Sequence, residues 1–212
     1  PRVFAQEDET ARRIAMRVVE PPTPEKIEQI LEQVKREMGL ALSPKQEAAV
    51  YAAYRHNLSI ITGSPGTGKT TVLKTILEVY RRLHPQGEIA LMAPTGRASR
   101  RMAESTGVDK AKTLHSILGL ASEEDEMKRS DTQEPLSADL IIVDEFSMVD
   151  MWLANKFFSR IKGGARVILV GDPDQLPSVG AGNVFRELID CGLITVTVLD
   201  QIFRQSKDSL KI

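Results

Sequence analysis

One stretch constrains this chain more than any other: a glycine-rich run that follows an apolar, β-branched segment. The run reads Gly-Ser-Pro-Gly-Thr-Gly-Lys-Thr from Gly63 to Thr70, which fits the spacing G-x-x-x-x-G-K-[ST]. The apolar segment before it is Leu58 to Ile61. The residues after it place an apolar stripe on one side of a helix, formed by Val72, Leu73, Ile76, Leu77 and Tyr80. This order of strand, loop and helix predicts a phosphate-binding loop.

The residue types of the loop suit an anionic ligand. Its glycines allow backbone angles that are closed to other residues, so successive N–H groups can point at a phosphate. The helix that begins near Lys69 directs its positive dipole end to the same place. The Lys69 ammonium can reach the β- and γ-phosphates, and the Thr70 hydroxyl can ligate Mg²⁺. We therefore predict a site for ATP and Mg²⁺ that is built from Gly63, Ser64, Pro65, Gly66, Thr67, Gly68, Lys69, Thr70 and Thr71.

Composition narrows the class of protein. The 212 residues are 42% hydrophobic and 27% charged, which is ordinary for a globular protein. The net charge of −1 does not indicate a nucleic-acid binder by itself, so any such function requires a local basic patch. Cys191 is the only cysteine, which excludes an intrachain disulfide and a cysteine-rich metal site. No apolar run approaches a membrane span, and no signal peptide is visible, so we expect a cytoplasmic protein without a membrane partner.

Strand patterns alternate with helix patterns along most of the chain. This alternation predicts an α/β fold with a parallel sheet covered by helices on both faces. Residues 41–212 are assigned to this sheet domain. Residues 1–40 contain two amphipathic helix patterns, at 6–19 and from Pro24 to Gly39, and are interpreted as a helical appendage or the end of a preceding domain.

Polar residues follow the predicted strands, where a parallel sheet binds its ligands. Asp144 and Glu145 close the apolar strand Leu140–Val143, as a Walker B element does. Asp144 can hold Mg²⁺, and Glu145 can orient the attacking water and accept its proton. Gln175 follows another buried strand and can hydrogen-bond the γ-phosphate or its water. Arg204 follows the last predicted strand, and its fork of donors suits a transferring phosphoryl group.

Two groups of residues have a structural explanation as well as a functional one. Gln46 has capping-box spacing from Ser43, so starting a helix is one sufficient explanation for this residue. Arg97, Arg100 and Arg101 form a local basic cluster with Lys110 and Lys112, although arginines at this spacing are also typical of the solvated face of a short helix. Backbone amides, hydroxyls and arginines after a strand can hold phosphates, and His115 can stack on a base.

The motifs taken together resemble superfamily 1 DNA helicases, in the RecD/TraA branch that includes the exonuclease V alpha subunit. The resemblance covers roughly residues 40 to 206, with order and spacing preserved. Its segments are Leu-Ser-Pro-Lys-Gln at 42–46, the phosphate loop at 63–70, Ala-Pro-Thr-Gly-Arg-Ala-Ser at 93–99, Thr-Leu-His at 113–115, Val-Asp-Glu-Phe-Ser-Met-Val-Asp at 143–150, Gly-Asp-Pro-Asp-Gln-Leu-Pro-Ser-Val at 171–179 and Phe-Arg-Gln at 203–205.

The resemblance implies a role for each matched residue. Gln46 would read the adenine, Gln175 would couple the γ-phosphate to DNA, and Arg204 would contact the γ-phosphate. Lys69, Glu145, Gln175 and Arg204 would form the catalytic set, with Thr70 and Asp144 as metal ligands. Single-stranded DNA would be contacted by Pro94, Thr95, Arg97, Thr113 and His115.

The resemblance implies that residues 41–212 form a RecA-like P-loop NTPase domain, the first motor domain of a 5′→3′ helicase in DNA repair or recombination. Such a helicase would act either alone or with subunits of a nuclease complex. The family's second motor domain does not follow within these residues, so we expect the chain alone to unwind little or no DNA. Two other classes stay open on the residues alone. One is a different P-loop ATPase or small kinase, and the other is a nucleotide-dependent binding module that switches a partner without turnover.

Overall fold

In the part of the chain that the structure describes, the centre is a six-stranded, all-parallel sheet with the strand order β3-β2-β4-β5-β1-β6. The computed structural model describes residues 23–120, 134–175 and 182–201. The strands are β1 Leu58–Gly63, β2 Ile89–Ala93, β3 Ala111–Thr113, β4 Leu140–Val143, β5 Arg166–Gly171 and β6 Thr195–Leu199. Strands next to each other in this order are separated along the chain by helices, as parallel pairing requires.

Seven α-helices surround the sheet in the described ranges. They are α1 Pro24–Met38, α2 Pro44–Arg55, α3 Lys69–Leu83, α4 Gly96–Thr106, α5 Leu114–Leu118, α6 Met151–Ser159 and α7 Val184–Asp190. A short 3₁₀ helix, Phe146–Met148, follows β4. No helix within these ranges has the length and apolar character needed to cross a membrane.

The sheet is buried on both faces because successive residues of a strand point to opposite sides. In β4, Leu140 and Ile142 join one core cluster with residues of α1 to α4. Ile141 and Val143 join a second cluster with residues of α5, α6 and α7. The continuous apolar strands read from the sequence therefore separate two cores. The predicted fold class, a parallel sheet with helices on both faces, is confirmed.

Helix α1, which the sequence placed in a helical appendage, packs directly on the sheet domain. Its residues Ile27, Leu31 and Val34 are fully buried in the same core cluster as α2 and α3. Lys35 forms an ion pair with Glu47 of α2 at 2.5 Å. Gly39 ends the helix in the left-handed conformation, with φ of 61°. The helix predicted over residues 6–19 lies outside the described residues, and the boundary at residue 40 remains a prediction.

Two local features differ from the sequence interpretation. The strand β3 was not predicted, because a segment of three residues is too short to show a periodic pattern; it pairs with β2 through Ala93 and Thr113. The amphipathic pattern from Val149 to Ile161 predicts a helix, and that helix is shorter in the structure, Met151–Ser159. It starts at Met151 because the Asp150 carboxylate accepts a hydrogen bond from the N–H of Leu153 at 2.8 Å.

Candidate functional site

The carboxyl ends of all six strands meet at one edge of the sheet. The register aligns Gly63 with Leu199, and Met92 with Val143. The described polar residues that directly follow a strand are therefore carried to this edge. Neighbouring strands in a sheet lie only about 4.8 Å apart. Loops from β1, β4 and β5, which are adjacent in the sheet, consequently share one site.

The phosphate loop is held open by internal contacts. Gly66 and Gly68 have φ of 86° and 84°, a region that favours glycine. The Thr67 hydroxyl, which is buried, donates to the carbonyl oxygen of Ser64 at 2.8 Å. A Cβ atom on Gly63 would lie 2.6 Å from the carbonyl oxygen of Leu199 and 2.6 Å from Thr67 Oγ1. The loop glycines are thus required by conformation at two positions and by close approach at the third.

Lys69 begins α3, and its ammonium lies inside the loop. Nζ donates to the carbonyl oxygens of Gly63 and, at 3.1 Å, Ser64. Burial lowers the pKa of Lys69, while the negative charges of Asp172 and Asp144 oppose that shift. The ammonium therefore donates to loop carbonyls, which an anionic ligand can replace, and it feels the negative charge of two carboxylates.

Asp144 and Glu145 follow β4, as the sequence predicted. The N–H of Asp144 donates to the carbonyl oxygen of Met92 at 2.9 Å, which continues the pairing of β4 with β2. Asp144 Oδ1 accepts from the N–H of Glu145 at 2.8 Å. Burial raises the pKa of the Asp144 carboxyl, and the hydrogen bond from Glu145 and the charges of Lys69 and Arg101 oppose that rise. Glu145 adopts φ of 54° and ψ of 36°.

Asp172 is a site residue that the sequence analysis missed. It follows β5 directly, is only 7% exposed, and acts electrostatically on Lys69. Its carboxylate accepts the N–H of Asp174 at 3.0 Å, and its carbonyl oxygen accepts the N–H of Gln175 at 3.2 Å. The turn holds Gln175 at the same edge, with an exposed side chain. The position of Asp172 directly after a buried strand was the signal that could have identified it.

Gln46 lies at the start of α2 and is almost completely buried. Its side-chain oxygen accepts the N–H of Ser43 at 2.9 Å, while its own N–H donates to Ser43 Oγ at 3.3 Å. The structure therefore contains the capping box that the spacing predicted. Beside it, Lys45 forms an ion pair with Asp200, the residue after β6, so the start of α2 is tied to the same edge of the sheet.

The candidate DNA-contacting residues lie at the other end of the same edge, after β2 and β3. Thr95 caps α4 by accepting the N–H of Ala98 at 3.2 Å, and Thr113 caps α5 by accepting the N–H of Ser116 at 3.1 Å. Both threonines thus have structural roles of their own. Arg97 and His115 are exposed, and Pro94 is partly exposed. Pairing of Ala93 with Thr113 brings the two loops together.

Arg204 and the metal ligands are the remaining parts of the predicted site. Arg204 lies outside the described residues. Among the residues that are described, no group of three or more histidine, cysteine, aspartate or glutamate side chains could hold a metal ion. A Mg²⁺ ion at this edge would accordingly take few protein ligands, as it usually does when phosphates and water complete its coordination.

Comparisons with known proteins agree with this geometry. The family model described as AAA domain matches residues 46–181. A relative from Deinococcus radiodurans, named ATP-dependent RecD2 DNA helicase, is 38% identical over 173 residues, covering 82% of this chain and 23% of the relative. A relative from Haemophilus influenzae, named RecBCD enzyme subunit RecD, is 39% identical over 164 residues, covering 68% of this chain and 26% of the relative.

A solved structure also matches: Bacteroides Pif1 bound to single-stranded DNA is 26% identical, with a TM-score of 0.51, covering 79% of this chain and 44% of that chain. The described part of the chain and that helicase thus share the core arrangement of strands and helices. In length, the chain spans about a quarter of the two curated relatives above.

Proposed function

Because this chain belongs to the family of AAA domains, we propose that it is the ATP-binding and ATP-hydrolysing first motor domain of a 5′→3′ DNA helicase that translocates along a single strand. The relatives confirm the resemblance to the RecD branch of superfamily 1 helicases. The polarity is taken from that resemblance alone. One observation carries the proposal. The phosphate loop, the adjacent carboxylates Asp144 and Glu145, and the exposed Arg97 all lie at one edge of a parallel sheet.

The residues at this edge fit ATP with Mg²⁺. The loop Gly63–Thr71 offers backbone N–H groups at a helix start, and Lys69 can exchange the carbonyls of Gly63 and Ser64 for phosphate oxygens. Thr70 and Asp144 would hold the metal ion, which neutralises phosphate charge when it is bound. Gln46 would contact the adenine through its amide, since its oxygen already accepts from Ser43.

The remaining residues of the proposed catalytic set would act in the hydrolysis step. Glu145 would accept the proton of the attacking water, whose oxygen bonds to the γ-phosphorus as the bond to the β-phosphate oxygen breaks. Gln175 follows β5, the strand next to β1, and would contact the γ-phosphate or the water. Arg204 would stabilise the charge on the transferring group. Asp172 would support Lys69 by favouring its charged form.

Single-stranded DNA is the proposed polymer substrate. Its phosphates would be held by Arg97 and by the loop after β2 that contains Pro94 and Thr95, and Thr113 and His115 would extend this surface from the end of β3. The matched structure is described as a helicase bound to single-stranded DNA, which supports this choice of partner. Contacts to phosphates carry no sequence information, so we expect similar binding to different base sequences.

The wider setting of the protein follows from its relatives. We assign residues 41–212 to the motor domain and residues 1–40 to an element that precedes it. A second motor domain in the complete protein would close over the nucleotide. We also propose a cytoplasmic role in DNA repair or recombination, alone or with subunits of a nuclease complex. The relative from Haemophilus influenzae is named as a subunit of the RecBCD enzyme, which supports the second setting.

The experiment that tests this function compares ATP hydrolysis by the complete protein with and without single-stranded DNA. We expect the strand to raise the rate, and we expect duplexes with a 5′ tail, but not a 3′ tail, to be separated. A small kinase would transfer phosphate to an acceptor instead of water. A nucleotide-dependent switch would bind ATP without DNA-stimulated turnover. Residues 1–212 alone should bind nucleotide, hydrolyse it slowly and leave duplexes intact.

A further inference from the structure

Glu145 has a strained backbone. Among the described residues it is the only one other than glycine with a left-handed φ, and it is neither asparagine nor aspartate, the types that tolerate this region best. The conformation turns the chain sharply between β4 and the 3₁₀ helix Phe146–Met148. Strain of this kind persists where the surroundings hold it, and it is concentrated at functional sites. Its side chain is 29% exposed, so it remains accessible at the edge of the sheet.

The partner of Glu145 comes from a helix that follows a different strand. Nη1 of Arg101 lies 3.7 Å from Oε1 of Glu145. Arg101 belongs to α4, the helix that begins directly after the candidate DNA loop containing Thr95. Its charge also opposes the raised pKa of Asp144, so it acts on both carboxylates that follow β4. The pair therefore connects the proposed base to the element that would contact DNA.

The Arg101–Glu145 ion pair is weak enough for a bound DNA phosphate to replace it. The Arg101 side chain is 65% exposed, and ion pairs of this exposure change an equilibrium by at most about fivefold. A DNA phosphate offers the same guanidinium a charge-assisted and bidentate partner, which is a stronger interaction. Arg101 can therefore leave Glu145 when a strand is bound, without disturbing the core beneath α4.

We propose that Arg101 is a positioning residue that restrains Glu145 while DNA is absent and releases it when a phosphate of the bound strand takes its guanidinium. In the DNA-free state, the Arg101 guanidinium lies 3.7 Å from Oε1 and attracts the carboxylate that would accept the proton of the attacking water. In the DNA-bound state, that oxygen faces the water. The inference rests on the proposed function, because it assigns the link between DNA binding and hydrolysis to one side chain.

The test measures ATP hydrolysis by the complete protein, with no DNA and with saturating oligo(dT). We expect Arg101→Ala to raise the DNA-free rate about two- to fivefold and to lower the ratio of stimulated to DNA-free rate by a similar factor. At saturating DNA, the hydrolysis rate of Arg101→Ala should stay within about twofold of the wild-type rate, because Glu145 is released from Arg101 in both proteins. Arg101→Lys should restore part of the ratio, because it keeps the charge without the fork.

The matched control is Arg81→Ala. Arg81 is an exposed arginine of α3 that pairs with Glu78 at 2.5 Å, so its removal changes the net charge equally and breaks a comparable pair. Its stimulation ratio should equal that of the wild type. Raising the salt concentration should also increase the DNA-free rate of the wild type more than that of Arg101→Ala, because screening weakens the exposed pair.

The outcomes separate this inference from the proposed function. An unchanged ratio in Arg101→Ala, or a fall in its DNA-free rate, would overturn the role of Arg101 while leaving wild-type stimulation intact. Absence of stimulation in the wild type would contradict the proposed function and, with it, the inference.

Discussion

Ser43 and Gln46 satisfy each other's backbone N–H groups at the start of α2. The N–H of Ser43 donates to the Gln46 side-chain oxygen at 2.9 Å, and the N–H of Gln46 donates to Ser43 Oγ at 3.3 Å. One side chain therefore starts a helix and is also the residue to which the resemblance assigns the adenine contact. An amide oxygen has two lone pairs and the amide nitrogen two donors, so both roles are chemically compatible.

Substitutions at Gln46 should separate these roles. Gln46→Glu keeps the acceptor for Ser43 and suits a helix start, but it lacks the amide donor for the base. We expect this variant to keep the capping box, with a reduced free energy of unfolding because the carboxylate is almost completely buried, while the preference for ATP over GTP is lost. Gln46→Ala should lose both the capping hydrogen bond and the contact to the base, and its folded state should be less stable by about 0.5–1.5 kcal/mol.

Urea unfolding and nucleotide titration are the measurements for Gln46. If Gln46→Glu prefers ATP over GTP as strongly as the wild type does, the capping box would be the only role of Gln46.

Replacing the proposed base should abolish turnover without abolishing binding. In Glu145→Gln the amide cannot accept a proton, so hydrolysis by the complete protein should fall by about 10²–10⁴-fold. Its affinity for Mg²⁺–ATP should remain close to that of the wild type. Single-turnover hydrolysis and equilibrium titration test the two expectations. Hydrolysis at the parental rate would exclude Glu145 as the base.

Asp144→Asn should weaken Mg²⁺-dependent nucleotide binding but stabilise the fold. Burial raises the pKa of Asp144 in the folded state. Because the folded state binds this proton more tightly than the unfolded state does, stability decreases as pH rises through the two pKa values, and the cost is fully present at neutral pH. Asparagine keeps the oxygen that accepts the N–H of Glu145 and removes the charge.

Thermal unfolding of both proteins checks this sign. The variant should melt higher at pH 7, and the difference should shrink below about pH 3.9, the ordinary pKa of aspartate. A variant that melts lower at pH 7 would contradict the account of Asp144.

Arg97→Ala should weaken binding of single-stranded DNA to a similar extent for all base sequences. Loss of one phosphate contact should flatten the dependence of log affinity on log salt by about 0.7, because one fewer counterion is released. Fluorescence titrations at several salt concentrations measure this slope. Arg36→Ala, which removes an exposed arginine from α1, is the matched control. An unchanged slope in Arg97→Ala would assign Arg97 to a solvated helix face.

Local motifs and long-range contacts differed in how far the sequence could predict them. The phosphate loop and the carboxylates after β4 were predictable because each depends on residues adjacent in the chain. The Arg101–Glu145 pair was not, since it joins residues 44 positions apart whose proximity depends on the order of strands β2 and β4. The apolar stripe of α1 was visible, but the surface it covers depends on tertiary packing.

The most direct test of the account is calorimetric titration of the 212-residue chain with Mg²⁺–ATP, using the wild type, Lys69→Ala and Lys74→Ala. Lys74 lies further along the same helix, so its removal controls for charge. Loss of a charge-assisted contact to the phosphates should weaken binding to Lys69→Ala by about ten- to a hundredfold, with the fold unchanged by circular dichroism, while Lys74→Ala binds as the wild type does. Equal affinity in the wild type and Lys69→Ala would contradict a nucleotide site at this edge of the sheet.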